Sequence, residues 1–305
     1  MLRWNKVSNG IHTRKATIIE AFCVCMAYTL RMGMVGMEQY LDTQLAHGRA
    51  FFTREEALAE LRLSPLALKA ALTRLIKRQK LANPRHGFYL ILRPEDRIAG
   101  APDPARWIDP LMRYQQIDYR VSLLRAAAYH GSSHQAAMTF QVIAPKQLRG
   151  IEIGRQRIEF IYQSPADFAQ ANQSEWLASM KTEAGFAKVA GIELTLLDCA
   201  RYFHKAAGMS GLLQIVKDLG AKSNAARLAK AAAIYPNSTV RRLGYLLDQA
   251  GHPSQARALE PFAKHALKAI PLDPSVKPLV PSLAAAAERD TKWKLILNEI
   301  LEADF

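Results

Sequence analysis

The stretch LSPLALKAALTRLIKRQKLANPRHGFYLI, from Leu63 to Ile91, constrains the fold of this chain more than any other. Ser64-Pro65 opens a helix. A serine at the N-cap accepts from a free amide of the first turn, and a proline at the first helical position gives up an N–H that has no partner there. Ala67, Ala71 and Leu75, with Leu68, Leu72 and Ile76 one step round, make one wide apolar stripe. Lys69, Thr73, Arg74, Lys77 and Arg78 fall on the other side. Asn83-Pro84 blocks continuation of the helix, Pro84-Arg85-His86-Gly87 reads as a turn, and GFYLIL (87–92) reads as a strand. Two helices lead in. MEQYLDTQLAHG (37–48) is closed by Gly48. FFTREEALAEL carries Thr53 and Glu56 at capping-box spacing, with Ala57, Leu58 and Leu61 on its apolar side. The order helix, helix, helix, turn, strand predicts a winged helix-turn-helix over 37–97.

In that arrangement the third helix enters the major groove and the N-terminal half of the helix faces the base edges. Ser64, Leu66, Lys69 and Thr73 are then the base-facing positions. Lys77, Arg78 and Lys80 sit nearer the backbone, where contacts give affinity without sequence information. Arg85 and His86 tip the wing, toward a minor groove or a phosphate. The alternative is an ordinary solvated helix face.

Charge favours the first reading. The chain has 305 residues with 41 Lys and Arg against 27 Asp and Glu, a net of +14, which suits a polyanionic partner. Residues 1–100 hold 16 basic and 8 acidic residues, so +8 of that excess falls in the front third, about three times as basic per residue as the rest. Half of the residues are apolar, enough to bury a core in each of two domains. The cysteines, Cys23, Cys25 and Cys199, have no metal-ligand spacing, and their odd number predicts a reducing cytoplasm without disulfides. The apolar run ATIIEAFCVCMAYTL (16–30) is interrupted by Glu20, is not followed by a small-residue cleavage pattern, and falls short of the roughly 20 residues a spanning helix needs. The expectation is a soluble cytoplasmic protein with no membrane contact. Residues 1–36 read as an N-terminal extension without an assigned role.

RPEDRIAGAPDPARW (93–107), with its charges and turn residues, marks the domain boundary, and 98–107 reads as a linker. Beyond it, 108–305 reads as a mixed α/β domain, a small sheet first and helices after, so that the whole chain is α+β. WIDPLMRYQQ and DYRVSLLRAAAYHG (118–131) read as helices, and 138–145, 148–154, 157–163 and 186–190 as short strands. From Glu193 the pattern is helical, and KWKLILNEI (292–300) reads as a final strand. Lys146, Arg149, Arg155 and Arg157 surround two of the short strands. They form either a second nucleic-acid surface or an ordinary charged sheet face.

A search for catalytic machinery finds none. Gly131-Ser132 in YHGSSHQ resembles the opening of a nucleotidyltransferase site, but no pair of acids follows to hold metal ions. A phosphate loop, a nucleophile elbow and an H-E-x-x-H motif are all missing. His130 and His134 have a metal-pair spacing, but the Gly131 between them favours a helix end. Asp198 in ELTLLDCARY is either a catalytic acid or, the preferred reading, an ion-pair partner for Arg201 or for a residue from another helix. Cys199 reads as a small core residue. No catalytic, cofactor-binding or metal residues are assigned.

The second half of the chain is similar to a known family. YRVSLLRAAAYHGSSHQAAMTFQVIAPKQLRGIEIGRQRIEFIY, VAGIELTLLDCARYFHKAAGMSGLLQIVKDL, STVRRLGYLLDQAGH and KWKLILNEILEAD, in that order behind a winged helix, resemble the AbiEi antitoxins of the AbiE abortive-infection, or type IV, toxin–antitoxin systems. The resemblance covers roughly 37–305. It implies a DNA-binding autorepressor that recognises inverted repeats in its own promoter. It also implies a C-terminal domain that opposes an AbiEii-like nucleotidyltransferase toxin, without necessarily touching it, and so possible contact with RNA. It supplies no antitoxic site: Tyr129, His130, Gly131, Asp198, Arg241, Arg242, Gly244 and Tyr245 are conspicuous but are expected to hold the fold. An orphan winged-helix regulator, a nucleic-acid-processing enzyme and a module for an acidic partner protein stay open as alternatives.

Overall fold

The computed structural model describes residues 36–132, 139–182, 185–277 and 288–301. The chain divides into two units, Met1–Pro102 and Asp103–Phe305.

In the first unit a helix over 36–46 (α1) is followed by strand β1 (Phe51–Thr53), helix α2 (Arg54–Leu61), helix α3 (Pro65–Lys77) and strands β2 (Leu81–Arg85) and β3 (Phe88–Ile91). The three strands form an antiparallel sheet in the order β1-β3-β2. This is the topology of a winged helix-turn-helix. Both predicted caps form. Thr53 Oγ1 accepts from the Glu56 amide at 3.2 Å while Glu56 Oε2 accepts from the Thr53 amide at 2.7 Å. Ser64 Oγ accepts from the Ala67 amide at 3.2 Å. Leu68, Leu72 and Leu75 of α3 are buried in one cluster with Met37, Tyr40, Leu41, Phe52 and Ala57, and Ala71 is buried on the same side. Burying a leucine contributes roughly 2 kcal/mol, so this face, more than local propensity, holds the helix in place. Ile76, expected in the stripe, lies at its margin and is 39 % exposed.

Two local features differ from the sequence reading. Helix α3 is not stopped by Asn83-Pro84. It ends in a Schellman motif: Gln79 is left-handed (φ 53°), its amide donates to Ile76 O at 3.0 Å, and the Lys80 amide donates to Leu75 O at 2.9 Å. Asn83 and Pro84, expected as a break, lie inside strand β2, as do Pro84 and Arg85 of the expected turn. Pro84 has no N–H to give, and it is tolerated because β2 is an edge strand with a register shift between Ala82 and Arg85. Asn83 Nδ2 makes up for part of the lost ladder by donating to Arg85 O at 2.6 Å and Phe88 O at 2.7 Å.

The second unit is built on a six-stranded mixed sheet: β4 (Arg120–Val121), β5 (Phe140–Ala144), β6 (Ile151–Ile153), β7 (Gln156–Tyr162), β8 (Leu177–Thr182) and β9 (Gly185–Ala190), in the order β6-β7-β5-β4-β9-β8. Helix α4 (Ile108–Tyr114) precedes the sheet, and α5 (Leu123–Tyr129) and α6 (Pro165–Ala171) connect its strands. The segment 118–131, expected to be one helix, gives β4 first, and α5 starts only at Leu123. Strand β4 bridges β5 and β9 at the centre of the sheet, and β8 was not anticipated. Helices α7 (Ile192–Arg201), α8 (Gly208–Leu219), α9 (Ala225–Ala232), α10 (Asn237–Gln249) and α11 (Pro253–Lys264) follow as the sequence indicates. Helix α7 buries eight successive residues, Glu193 to Ala200, and packs against α5, α8, α9 and α10. A helix covered all round belongs at the centre of its domain. A small sheet, β10 (Ile270–Pro271), β12 (Leu295–Leu297) and β11 (Glu288–Asp290), closes the unit, so the predicted strand at 292–300 is only three residues long. The molecule is α+β in class. Among the described residues no helix is long and apolar enough to cross a membrane; the apolar run 16–30 lies outside them.

Candidate nucleic-acid interface

Because Leu68, Ala71, Leu72 and Leu75, spaced three and four apart, share the core face, positions such as Leu66, Lys69, Thr73 and Lys77, one or two places from them, turn outward. Ser64, Leu66, Lys69, Thr73, Lys77 and Arg78 are all exposed, and Arg74 is half-buried. Lys69 and Lys77 meet no acidic side chain among the described residues, so their charges face solvent. Three side chains are already engaged. Ser64 Oγ caps the helix. The Thr73 hydroxyl donates to Lys69 O at 2.9 Å, and Arg74 Nε donates to Ala70 O at 3.3 Å. Leu66, Lys69, Ala70, Thr73 and Arg74 line an open, mostly apolar hollow of about 450 Å³ on this face. Arg85, half-buried, and exposed His86 stand where β2 turns into β3, at the tip of the wing.

Lys80 does not join this face. Its ammonium pairs with Glu38 of α1 at 2.8 Å, and that hydrogen bond and charge hold the Glu38 carboxyl below its usual range. On the sheet side, burial works to raise the Glu56 carboxyl. Hydrogen bonds from Arg49 and Thr53 outweigh that and leave it lowered. Burial pushes the Tyr40 hydroxyl up to about 12.

The second set of basic residues sits at one edge of the large sheet. Strand β6 is the edge strand, and Gly154 (φ 56°) and Arg155 turn it into β7. Lys146, Arg149, Arg155 and Arg157 are exposed on this hairpin and its approach, not spread over a sheet face. Arg157 stands opposite Glu152 in the ladder, 3.9 Å from its carboxylate, so part of its charge is offset. Lys146 and Arg155 meet no acidic side chain among the described residues.

The positions weighed for catalysis are occupied by structure. Asp198 is fully buried on α7 and its partner is Arg120 of β4, not Arg201. Arg120 Nε and Nη2 donate to the two carboxylate oxygens at 2.9 and 2.8 Å; Ser122 Oγ adds a bond of 2.7 Å and the Tyr235 hydroxyl one of 2.6 Å. Burial works against the Arg120 charge, but Asp198 more than compensates and holds the guanidinium above its usual range. Burial first, then Asp198, pushes the Tyr235 hydroxyl well up. Burial does the same to the Cys199 thiol, which is a core residue on α7. Arg201 pairs with Asp167 at 3.0 Å instead.

The Tyr129-to-Ser132 run is a set of tethers. Tyr129 Oη donates to Ser179 O at 3.2 Å, His130 Nε2 lies 2.7 Å from Ala190 O, and Ser132 Oγ donates to Asp218 at 2.6 Å. Gly131 between them is left-handed (φ 92°), a conformation that favours glycine. His134, the other half of the suggested metal pair, lies outside the described residues, and among those described no group of three or more His, Cys, Asp or Glu is placed to hold a metal ion. Arg241 and Arg242 of α10 donate to backbone carbonyls of the C-terminal segment, Arg241 to Lys268 at 3.0 Å and Arg242 to Leu272 at 2.8 Å. Next to them, the Trp293 indole lies against Gly244.

This second unit holds the deciding likeness. Residues 120–249 match the family model of the AbiEi antitoxin C-terminal domain. The match begins at Arg120 and takes in Asp198, so the buried ion pair lies wholly within the AbiEi-like domain. The crystal structure of the RV2827C protein from Mycobacterium tuberculosis has the same fold. It aligns with a TM-score of 0.59 over 86 % of this chain and 91 % of that one, at 17 % sequence identity. No curated protein gives a significant match to the chain.

Proposed function

We propose that this protein is the antitoxin of a type IV toxin–antitoxin system and the DNA-binding repressor of its own operon, opposing a nucleotidyltransferase-like toxin. The observation that carries this reading is an AbiEi antitoxin domain match at 120–249 behind a winged helix whose third helix turns uncompensated Lys69 and Lys77 outward. In this assignment 37–97 is the DNA-binding domain, 98–107 joins it to the antitoxin domain at 108–305, and 1–36 is an N-terminal extension to which no role is assigned. Ser64, Leu66, Lys69 and Thr73 face the bases of an inverted repeat. Arg74, Lys77, Arg78, Arg85 and His86 meet phosphates or a minor groove. The edge hairpin with Lys146, Arg149, Arg155 and Arg157 is a second basic surface for a DNA backbone or for RNA. The protein acts in the cytoplasm, opposes the toxin without needing to bind it, and itself performs no catalysis.

The test is in cells. This function calls for an adjacent reading frame encoding a nucleotidyltransferase; that gene is induced with and without this protein, and the operon promoter drives a reporter. The reading predicts growth rescue and repression together, with Lys77→Ala/Arg78→Ala losing repression and keeping rescue. Rescue absent with the wild-type protein refutes the antitoxin assignment. Reporter activity unchanged refutes the repressor assignment.

A further inference from the structure

We propose that the hollow on α3 reads the C5-methyl group of thymine in the major groove, with Leu66 and Ala70 as its apolar seat. This inference rests on the DNA-binding reading above and names what one part of that surface recognises. Leu66 is 78 % exposed on the most basic unit of the chain, beside Lys69, where an uncovered leucine gains nothing for stability. Base edges are read chiefly by Arg or Lys on guanine, by bidentate Asn or Gln on adenine, by hydroxyls, or by apolar contact. The hollow contains no Asn or Gln. Its one guanidinium, Arg74, is tethered through Nε to Ala70 O, and the hydroxyl proton of Thr73 is spent on Lys69 O. What Leu66, Ala70 and the Thr73 methyl offer a base is carbon, with the Thr73 oxygen left only as an acceptor. The apolar group that a standard base pair shows in the major groove is the thymine methyl. Base-facing Lys69 and, toward the phosphates, Arg74 add positive charge around the hollow, so the occupant is a duplex and not an apolar protein segment.

The experiment uses the full-length protein. A preferred site is selected from a pool of random duplexes at physiological salt and then remade with uracil in place of each thymine in turn, which deletes one methyl group and nothing else. Burying a methyl is worth about fourfold in affinity. We expect one or two positions per half-site at which uracil weakens binding by about that factor. We also expect Leu66→Ala to bind thymine and uracil equally there, because the mutant has lost the seat. Leu66 is exposed, so the substitution leaves the core intact. A selected site that tolerates uracil at every position, or an unchanged thymine preference in Leu66→Ala, overturns the inference and leaves the DNA-binding reading standing. A selection that returns no preferred sequence overturns both.

Discussion

Replacing Asp198 with alanine separates a structural acid from a catalytic one. In the wild type the carboxylate accepts four hydrogen bonds, two from Arg120 and one each from Ser122 and Tyr235, and neither Asp198 nor Arg120 is exposed to solvent. Asp198→Ala leaves a guanidinium charge buried with Gln163 as its remaining hydrogen-bonding side chain, and it strips two hydroxyls of their acceptor. Breaking a buried pair in this way costs about 3–5 kcal/mol. Domains of this kind have about 5–15 kcal/mol in total, so the variant should be severely destabilised or unfolded at 37 °C. Urea denaturation followed by circular dichroism measures the loss. The Arg120→Met/Asp198→Leu double variant provides the control: removing both charges together should cost clearly less than the sum of the single losses, because no charge is left unpaired. If Asp198→Ala unfolds at the wild-type midpoint, the ion pair does not hold the domain together, and the case for a chemical role of Asp198 reopens.

Three further outcomes follow from the geometry. A β-carbon on Gly244 would lie 2.2 Å from the Trp293 ring, so Gly244→Ala should cost about 1–3 kcal/mol by overpacking and change Trp293 fluorescence in the folded protein. Ser64→Ala removes the α3 N-cap and should cost about 1 kcal/mol in thermal or urea unfolding of the first unit. The lowered Glu38 and Glu56 carboxyls stabilise the first unit above their unfolded-state value near 4.5, and that stability should be lost as the pH falls through their lower folded values. Lys80→Met should remove the Glu38 part of this acid dependence, and an unchanged acid midpoint in that variant would contradict the assignment.

How much of this was legible in the sequence depended on range. Helix α3 was legible because everything that defines it is local: Ser64-Pro65 at one end and an apolar stripe along one side. Its end near Gln79 was legible as well, but the cause of the stop was not: the left-handed Gln79 is a Schellman position usually filled by glycine, while Asn83-Pro84 looks like a break and is in fact tolerated at a bulged edge. Strand β4 was hidden by its length, since Arg120-Val121 is too short for an alternating pattern to show. Arg120 is moreover a charge at the centre of a sheet, which makes sense only with Asp198 seventy-eight residues on. That Asp198 was structural was anticipated, but its partner was not, because pairing across the sheet leaves no local mark. The outward face of α3 followed from helical periodicity. Lys80 escaped that reasoning, since its engagement by Glu38 depends on how α1 packs beside the end of α3.

In the proposed function the outward face of α3 binds the promoter of the protein's own operon. The most direct test is the equilibrium affinity of the full-length protein for that promoter duplex as a function of salt, for the wild type and for Lys77→Ala/Arg78→Ala. Log affinity should fall linearly with log salt, and removing these two charges should weaken binding and flatten the slope by about two. Promoter binding at physiological salt with unchanged affinity and slope in the double variant would contradict this assignment.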